Sequence, residues 1–292
     1  MSETSPRVVI TGASSGFGEG AVKAFADKGY LVWGTMRDVA GRNAAKRAAL
    51  EAFSPNVSIV EMDVTDDASV REGFAEILSD GPVDVLINNA GIMYVGLTEA
   101  YGVDQAHAQM DTNYFGAIRC TQAVLPGMRA AGSGLILNTS SVAGRIAVPF
   151  FGTYCATKHA LEAYSQSLRY EVARFGVDVA LVEPGPFGTN LLGGSKPPSR
   201  EDVVAAYGPV GQVPSQMAEG FAAMLASDEA PDPQLVVDAY VALADTAPGK
   251  RPVRTVVGIT WGADELNRLT QPLQDGILQQ MQLQDVLGGT DA

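Results

Sequence analysis

Six apolar, β-branched runs alternate with segments of helical periodicity, and this alternation constrains the chain more than any other feature. The runs are RVVIT from Arg7, YLVWGTM from Tyr30, VSIVEMD from Val57, VDVLINN from Val83, GLILNTS from Gly134 and VDVALVEP from Val177. Each is apolar along most of its length instead of alternating, as a strand covered on both faces should be. Helical stretches near residues 17–29, 42–53, 66–80, 103–131 and 152–175 separate them. Strand–helix–strand order with right-handed crossovers predicts an α/β fold, a doubly wound parallel sheet with helices on both faces.

The order changes after about residue 188. GTNLLGGSKPPSR, from Gly188 to Arg200, is rich in Gly, Pro and Ser, and the next strand candidate, RTVVG, waits until Arg254. We expect one domain over residues 1–292, with a substrate-binding lid inserted at 188–230. The C-terminal QPLQDGILQQMQLQDVL reads as a polar-faced helix.

With 292 residues, 46% of them apolar, the chain has material for a continuous core. Its 20 Lys and Arg face 33 Asp and Glu, a formal net charge of -13 that disfavours nucleic acid and anionic membranes. No apolar run approaches the ~20 residues of a membrane span, and no secretory signal precedes the first strand. Cys120 and Cys155 are too far apart for a C-x-x-C motif. These features predict a cytoplasmic protein with reduced thiols. His107 and His159 lack the spacing of a metal site, so no metal is expected.

TGASSGFG, Thr11–Gly18, follows the first strand and opens the first helix. Gly12, Gly16 and Gly18 are spaced G-x-x-x-G-x-G, which differs from the G-x-G-x-x-G fingerprint but still supplies a bare, tight turn. Such a turn points N–H groups and a helix N-terminus at a pyrophosphate. In SSVAGRIAVPFFGTYCATKHAL, Tyr154 precedes Lys158 by four residues and follows Ser141 by thirteen. Tyr154 and Lys158 share a helix face, and an ammonium one turn away favours a phenolate that otherwise forms only near ~10. Ser141, at the carboxyl end of its strand, can hydrogen-bond a substrate oxygen, with Ser140 as its competitor. Cys155 reads as a small packed hydrophobe.

Over residues 7–190 the chain resembles the short-chain dehydrogenase/reductase family, in the single-domain branch of hydroxysteroid dehydrogenases and carbonyl reductases. The resemblance rests on TGASSGFG, DVT from Asp63, NNAG from Asn88, Asn113, Ser141, Tyr154 with Lys158, and PGPFGT from Pro184. It implies a Rossmann-like fold and hydride transfer between a nicotinamide cofactor and a carbonyl/alcohol pair. Tyr154 is then the general acid/base, Lys158 also bonds the nicotinamide ribose, and Asn113 joins a proton relay through water. The implied cofactor contacts are Gly12, Ser14, Ser15, Gly16, Phe17, Gly18, Asp63, Val64, Asn89, Ala90, Gly91, Tyr154, Lys158, Pro184, Gly185, Phe187 and Thr189. Relatives commonly form dimers or tetramers through the helices at 103–131 and 152–175, so a homodimer or homotetramer is expected.

Cofactor choice turns on the end of the second strand. Met36 occupies the position, 24 residues beyond Gly12, where NAD-using relatives commonly place an acid. Arg37 could pair with a 2′-phosphate, favouring NADP(H) over NAD(H), although Asp38 follows it. For the substrate, Met93, Val95, Val148, Phe150, Phe151, Phe187 and Leu191, joined by Leu192, supply apolar walls around Ser141 and Tyr154, with no arginine at the mouth. This predicts a hydrophobic ketone or secondary alcohol. The competing reading is a non-catalytic NADP(H) sensor or scaffold; an epimerase would need a larger C-terminal domain.

Overall fold

The computed structural model describes residues 5–191, 194–227 and 229–283. Seven strands form a parallel sheet: β1 (Arg7–Thr11), β2 (Leu31–Met36), β3 (Val57–Glu61), β4 (Val85–Asn88), β5 (Gly134–Thr139), β6 (Val177–Pro184) and β7 (Arg254–Val257). Their order is β3-β2-β1-β4-β5-β6-β7. The chain therefore turns back beside β1, and ligands of open α/β sheets bind at the carboxyl ends around such a reversal.

The apolar runs are buried on both sides. One face packs α1 (Gly16–Asp27) against the sheet through Val22 and Phe25, with Val8, Ile10 and Val182 beneath. Between β2 and β3 runs α2 (Ala44–Phe53), anchored by buried Leu50. The other face holds α3 (Asp67–Ser79), where Asp66 caps the Ala68 and Ser69 amides.

The predicted helix at 103–131 is interrupted. Regular turns over α4 (Val103–Met110) and α5 (Gly116–Ala131) flank a π-helical segment, Asp111–Phe115, which contains Asn113. Single π-turns are frequent at functional sites because the extra residue re-aims its neighbours. The next helix, α6 (Gly152–Val172), carries Tyr154 and Lys158.

Beyond β6 the Gly- and Pro-rich run gives way to helices, one of them over the stretch of Met217, Phe221 and Met224 that reads as helical in the sequence. The chain forms α7 (Glu201–Ala206), α8 (Val213–Leu225) and α9 (Gln234–Asp245) before β7, then α10 (Ala263–Gln280). Helix α9 buries Val236, Val237, Tyr240 and Leu243 in the core beside α1, so it belongs to the sheet's cover. A buried Arg251–Asp178 ion pair at 2.6 Å ties the approach to β7 onto β6. Leu192, Gly193 and residues 284–287 of the C-terminal run lie outside the described residues. Among the described residues, no helix is long and apolar enough to cross a membrane, and no cluster of His, Cys, Asp and Glu is arranged for a metal.

Candidate active site

One cavity of about 750 Å³ runs along the carboxyl edge of the sheet. Its first end is made by the glycine turn. Gly12 has φ of 70°, and a Cβ there would stand 2.9 Å from the Ala90 Cα, so both conformation and space require glycine. Asn89 donates its side-chain amide to the Thr11 and Gly12 carbonyls at 2.8 and 3.3 Å, clamping the turn to the end of β4. Gly18 does not line the cavity; a Cβ there would lie 2.4 Å from the Gly12 oxygen, so its role is the close approach of α1.

Ser14, Ser15, Gly16, Phe17, Asp63, Val64, Asn89, Ala90 and Gly91 all line this end, as do Pro184, Gly185, Phe187 and Thr189 toward the middle. Asp63 accepts from the Thr65 amide at 3.0 Å and its hydroxyl at 2.8 Å, and pairs with Arg37 at 3.5 Å. Partial burial opposes its charge, but the Thr65 bonds and Arg37 prevail and hold the carboxyl below its usual range.

Arg37 is joined in the wall by Arg42 and Asn43, which the sequence reading did not single out. Asp38 takes a different course. Its φ is 53°, and its carboxylate accepts from the Arg42 amide at 3.1 Å inside the β2–α2 turn. It is not among the lining residues.

At the centre, Ser141, Tyr154 and Lys158 converge. Ser141 leaves the end of β5; its Oγ donates to the Pro184 carbonyl at 3.2 Å and accepts from the Ala143 amide at 3.1 Å. Lys158 donates to the Thr139 carbonyl at 2.7 Å, with its Nζ 5.8 Å from the Tyr154 ring centre. Both side chains are buried. Burial pushes the Tyr154 phenol up to about 12 against a hydrogen bond with Ser141. It pushes Lys158 down to about 8, opposed by Glu162. In this structure desolvation thus outweighs the anticipated help of the ammonium to the phenolate.

Asn113 stands beside this centre without lining the cavity. Its Oδ1 accepts from the Ile92 amide at 2.8 Å, while its Nδ2 donates to the Ile92 carbonyl at 2.8 Å and to Thr157 at 3.0 Å. The π-turn therefore fastens the segment after β4 to α6.

The far end is apolar. Met93, Val148, Phe151, Tyr154, Phe187 and Leu191 line it, together with Phe221 of α8 and Trp261. Phe221 meets Phe151 edge-on at 6.3 Å and Trp261 at 6.1 Å. Trp261 was missed because nothing in its local sequence marks it; it is 43% exposed and lies after β7. Two expected wall residues sit elsewhere. Phe150, with φ of 68°, packs with Leu97, Ala100 and Val203, and Val95 packs behind Met93 and Phe151. Lys196 adds a cation to the wall.

Fold and site together define the doubly wound, dinucleotide-binding class. The short chain dehydrogenase family matches residues 6–199, and the chain belongs to that family. It is 41% identical over 185 residues to 3-ketodihydrosphingosine reductase of Bacteroides thetaiotaomicron, covering 63% of this chain and 65% of the relative. It is 41% identical over 189 residues to human retinol dehydrogenase 8, covering 64% and 60%. The chain thus spans under two thirds of the length of each. A short-chain dehydrogenase from Streptomyces avermitilis superposes with a TM-score of 0.74 at 32% identity, covering 97% of this chain and 98% of that one. One from Sphingobium yanoikuyae, solved with NADPH, superposes with a TM-score of 0.71 at 25% identity, covering 92% and 95%.

Proposed function

We propose that this chain is an oxidoreductase that transfers a hydride between NADP(H) and a hydrophobic ketone or secondary alcohol. The observation that carries the reading is the convergence of Ser141, Tyr154 and Lys158 in one cavity between a glycine turn and an apolar wall. The residues fit the cofactor: Gly12 and Gly16, both at positive φ, leave the turn's backbone bare toward the cavity. Arg37 and Arg42, in a wall that Asp38 does not line, favour a 2′-phosphate. When bound, the cofactor supplies or accepts the hydride.

The protein's part is proton control and orientation. Tyr154 gives a proton to the carbonyl oxygen in reduction and takes it from the hydroxyl in oxidation. Ser141 would hold that oxygen by hydrogen bonding, and Lys158 would hold the nicotinamide ribose. Asn113 keeps the Ile92 segment and α6 in register for a water relay. The apolar end would take the body of the substrate, with residues 188–230 acting as lid. Ketodihydrosphingosine and retinol, in the relatives' names, each have a bulky apolar body, which supports this choice. Exposed Val103 and Phe115 on the α4–α5 segment support association of copies there as a dimer or tetramer. The test is turnover of an apolar ketone series with NADPH or NADH, against polyhydroxylated and anionic carbonyl compounds. Turnover with none of them alongside tight NADP(H) binding would favour the sensor reading.

A further inference from the structure

A second group of buried charges lies directly behind Lys158. Glu162 is one helical turn beyond it on α6, and only about 2% exposed; Glu183 of β6 is fully buried. Arg254 of β7 donates to Glu162 Oε2 at 2.8 Å and stands 3.3 Å from Glu183 Oε1. Asn267 of α10 donates to Glu183 Oε2 at 2.6 Å. The remaining Arg254 nitrogens donate to Gln271 at 2.9 Å and Gln166 at 2.6 Å. Gly144 seals the group: a Cβ there would lie 2.6 Å from Ser140 Oγ, 3.1 Å from Glu162 Cγ and 3.3 Å from Lys158 Cβ.

Two carboxylates cannot both ionise easily this close together in a dry site. As bare carboxylates they would also leave Glu162 Oε1 and Glu183 Oε1 buried without a donor. One proton between them satisfies both atoms. Burial, and then Glu162, push Glu183 up to about 8, while Asn267 and Arg254 oppose the shift. Burial and the neighbouring carboxylate thus hold Glu183 toward its protonated form, while Glu162 has Arg254 on its other oxygen. The other charged groups facing Glu162 are Lys158 and Arg145, and Arg145 is tied to Asn267 and Thr270 of α10.

We propose that Glu162 is a positioning residue for the reaction: held as a carboxylate between Arg254 and a protonated Glu183, it keeps Lys158 charged inside the protein. This rests on the proposed use of Lys158 above. Burial alone disfavours the ammonium, and a carboxylate one turn away restores it.

The test follows the Lys158 Nζ directly, by nitrogen NMR of lysine-labelled protein, beside NADP(H) affinity measured by fluorescence across neutral and alkaline pH. Glu183→Gln keeps both hydrogen bonds of the protonated acid and leaves Glu162 ionised. Adding Glu162→Gln to it should lower the Lys158 titration by about one pH unit or more, and reduce alkaline NADP(H) affinity about tenfold. Glu162→Asp in the same background should recover part of the shift. Equal Lys158 titrations in the single and double variants, both folded by circular dichroism, would overturn the proposal. Should the double variant not fold, Glu162→Asp alone, which shortens the arm carrying the carboxylate, must still shift the Lys158 titration from wild type, and coincident curves overturn the proposal. A Lys158→Ala variant with unchanged NADP(H) affinity would sink the underlying reading of the site instead, and this proposal with it.

Discussion

The two ends of the cavity are built by different means. The glycine end is backbone, set by the β1–α1 and β4 junctions and clamped by Asn89, with residues contiguous in sequence and locked to adjacent strands. The apolar end is side chain, gathered from Met93, Phe151, Leu191, Phe221 and Trp261 on five separate segments. Backbone amides recognise a group common to all dinucleotides, whereas side chains on a helix such as α8 can be exchanged without disturbing the sheet. The cofactor end is thus expected to tolerate little substitution, and the apolar end to set the choice of substrate.

The largest effect should come where the two ends meet. Tyr154→Phe keeps the ring and deletes the proton donor, so turnover should fall about 100- to 10,000-fold while NADP(H) affinity is retained. Steady-state kinetics beside a fluorescence titration check this, and a variant keeping more than about a tenth of wild-type turnover removes Tyr154 from its role.

Next comes pH. Lys158 ionises at about 8, so its ammonium is present below that pH and is lost as pH rises through it. NADP(H) affinity should fall up to about tenfold per unit above that point, and Lys158→Ala should flatten the profile. A wild-type profile flat into the alkaline range would break the link between this lysine and the glycine end.

A charged hydrogen bond contributes on the order of 1.5 to 3 kcal/mol, so Arg37→Ala should cut the NADP(H) preference roughly tenfold. Affinity for NAD(H) should barely change. Equal kcat/KM for the two cofactors in the wild-type protein contradicts the assignment before any variant is made.

The smallest effect sharpens the comparison most. Trp261 is partly exposed, so Trp261→Ala should lower kcat/KM for bulky apolar ketones only about fivefold, leaving small ketones and cofactor affinity alone. A uniform loss across the series would mean that the tryptophan supports the fold and not the pocket.

Much of this molecule was legible in the chain. All six leading strands fall within the apolar runs, since strands buried on both faces must be apolar throughout. Ser141, Tyr154 and Lys158 stand out because their spacing resembles that of the short-chain dehydrogenase/reductase family, and the structure sets all three on one cavity. The π-turn at Asp111–Phe115 was hidden, because one extra residue hardly alters a helical pattern over 103–131. Helix α9 was overlooked although Val236, Val237, Tyr240 and Leu243 carry a helical spacing.

What the sequence by itself determined was the alternation of strands and helices, the bare turn after β1 and the order of the site motifs along the edge of the sheet. Each depends on neighbours within a few residues, where backbone sterics and hydrophobic period act. Only the tertiary structure decided that Asp38 does not line the cavity while Arg42 does, and that Trp261 faces Phe221. It alone brought Glu162, Glu183 and Arg254 together behind Lys158. Burial and charge act through space, and Glu162 and Arg254, which meet here, are separated by 92 residues of chain.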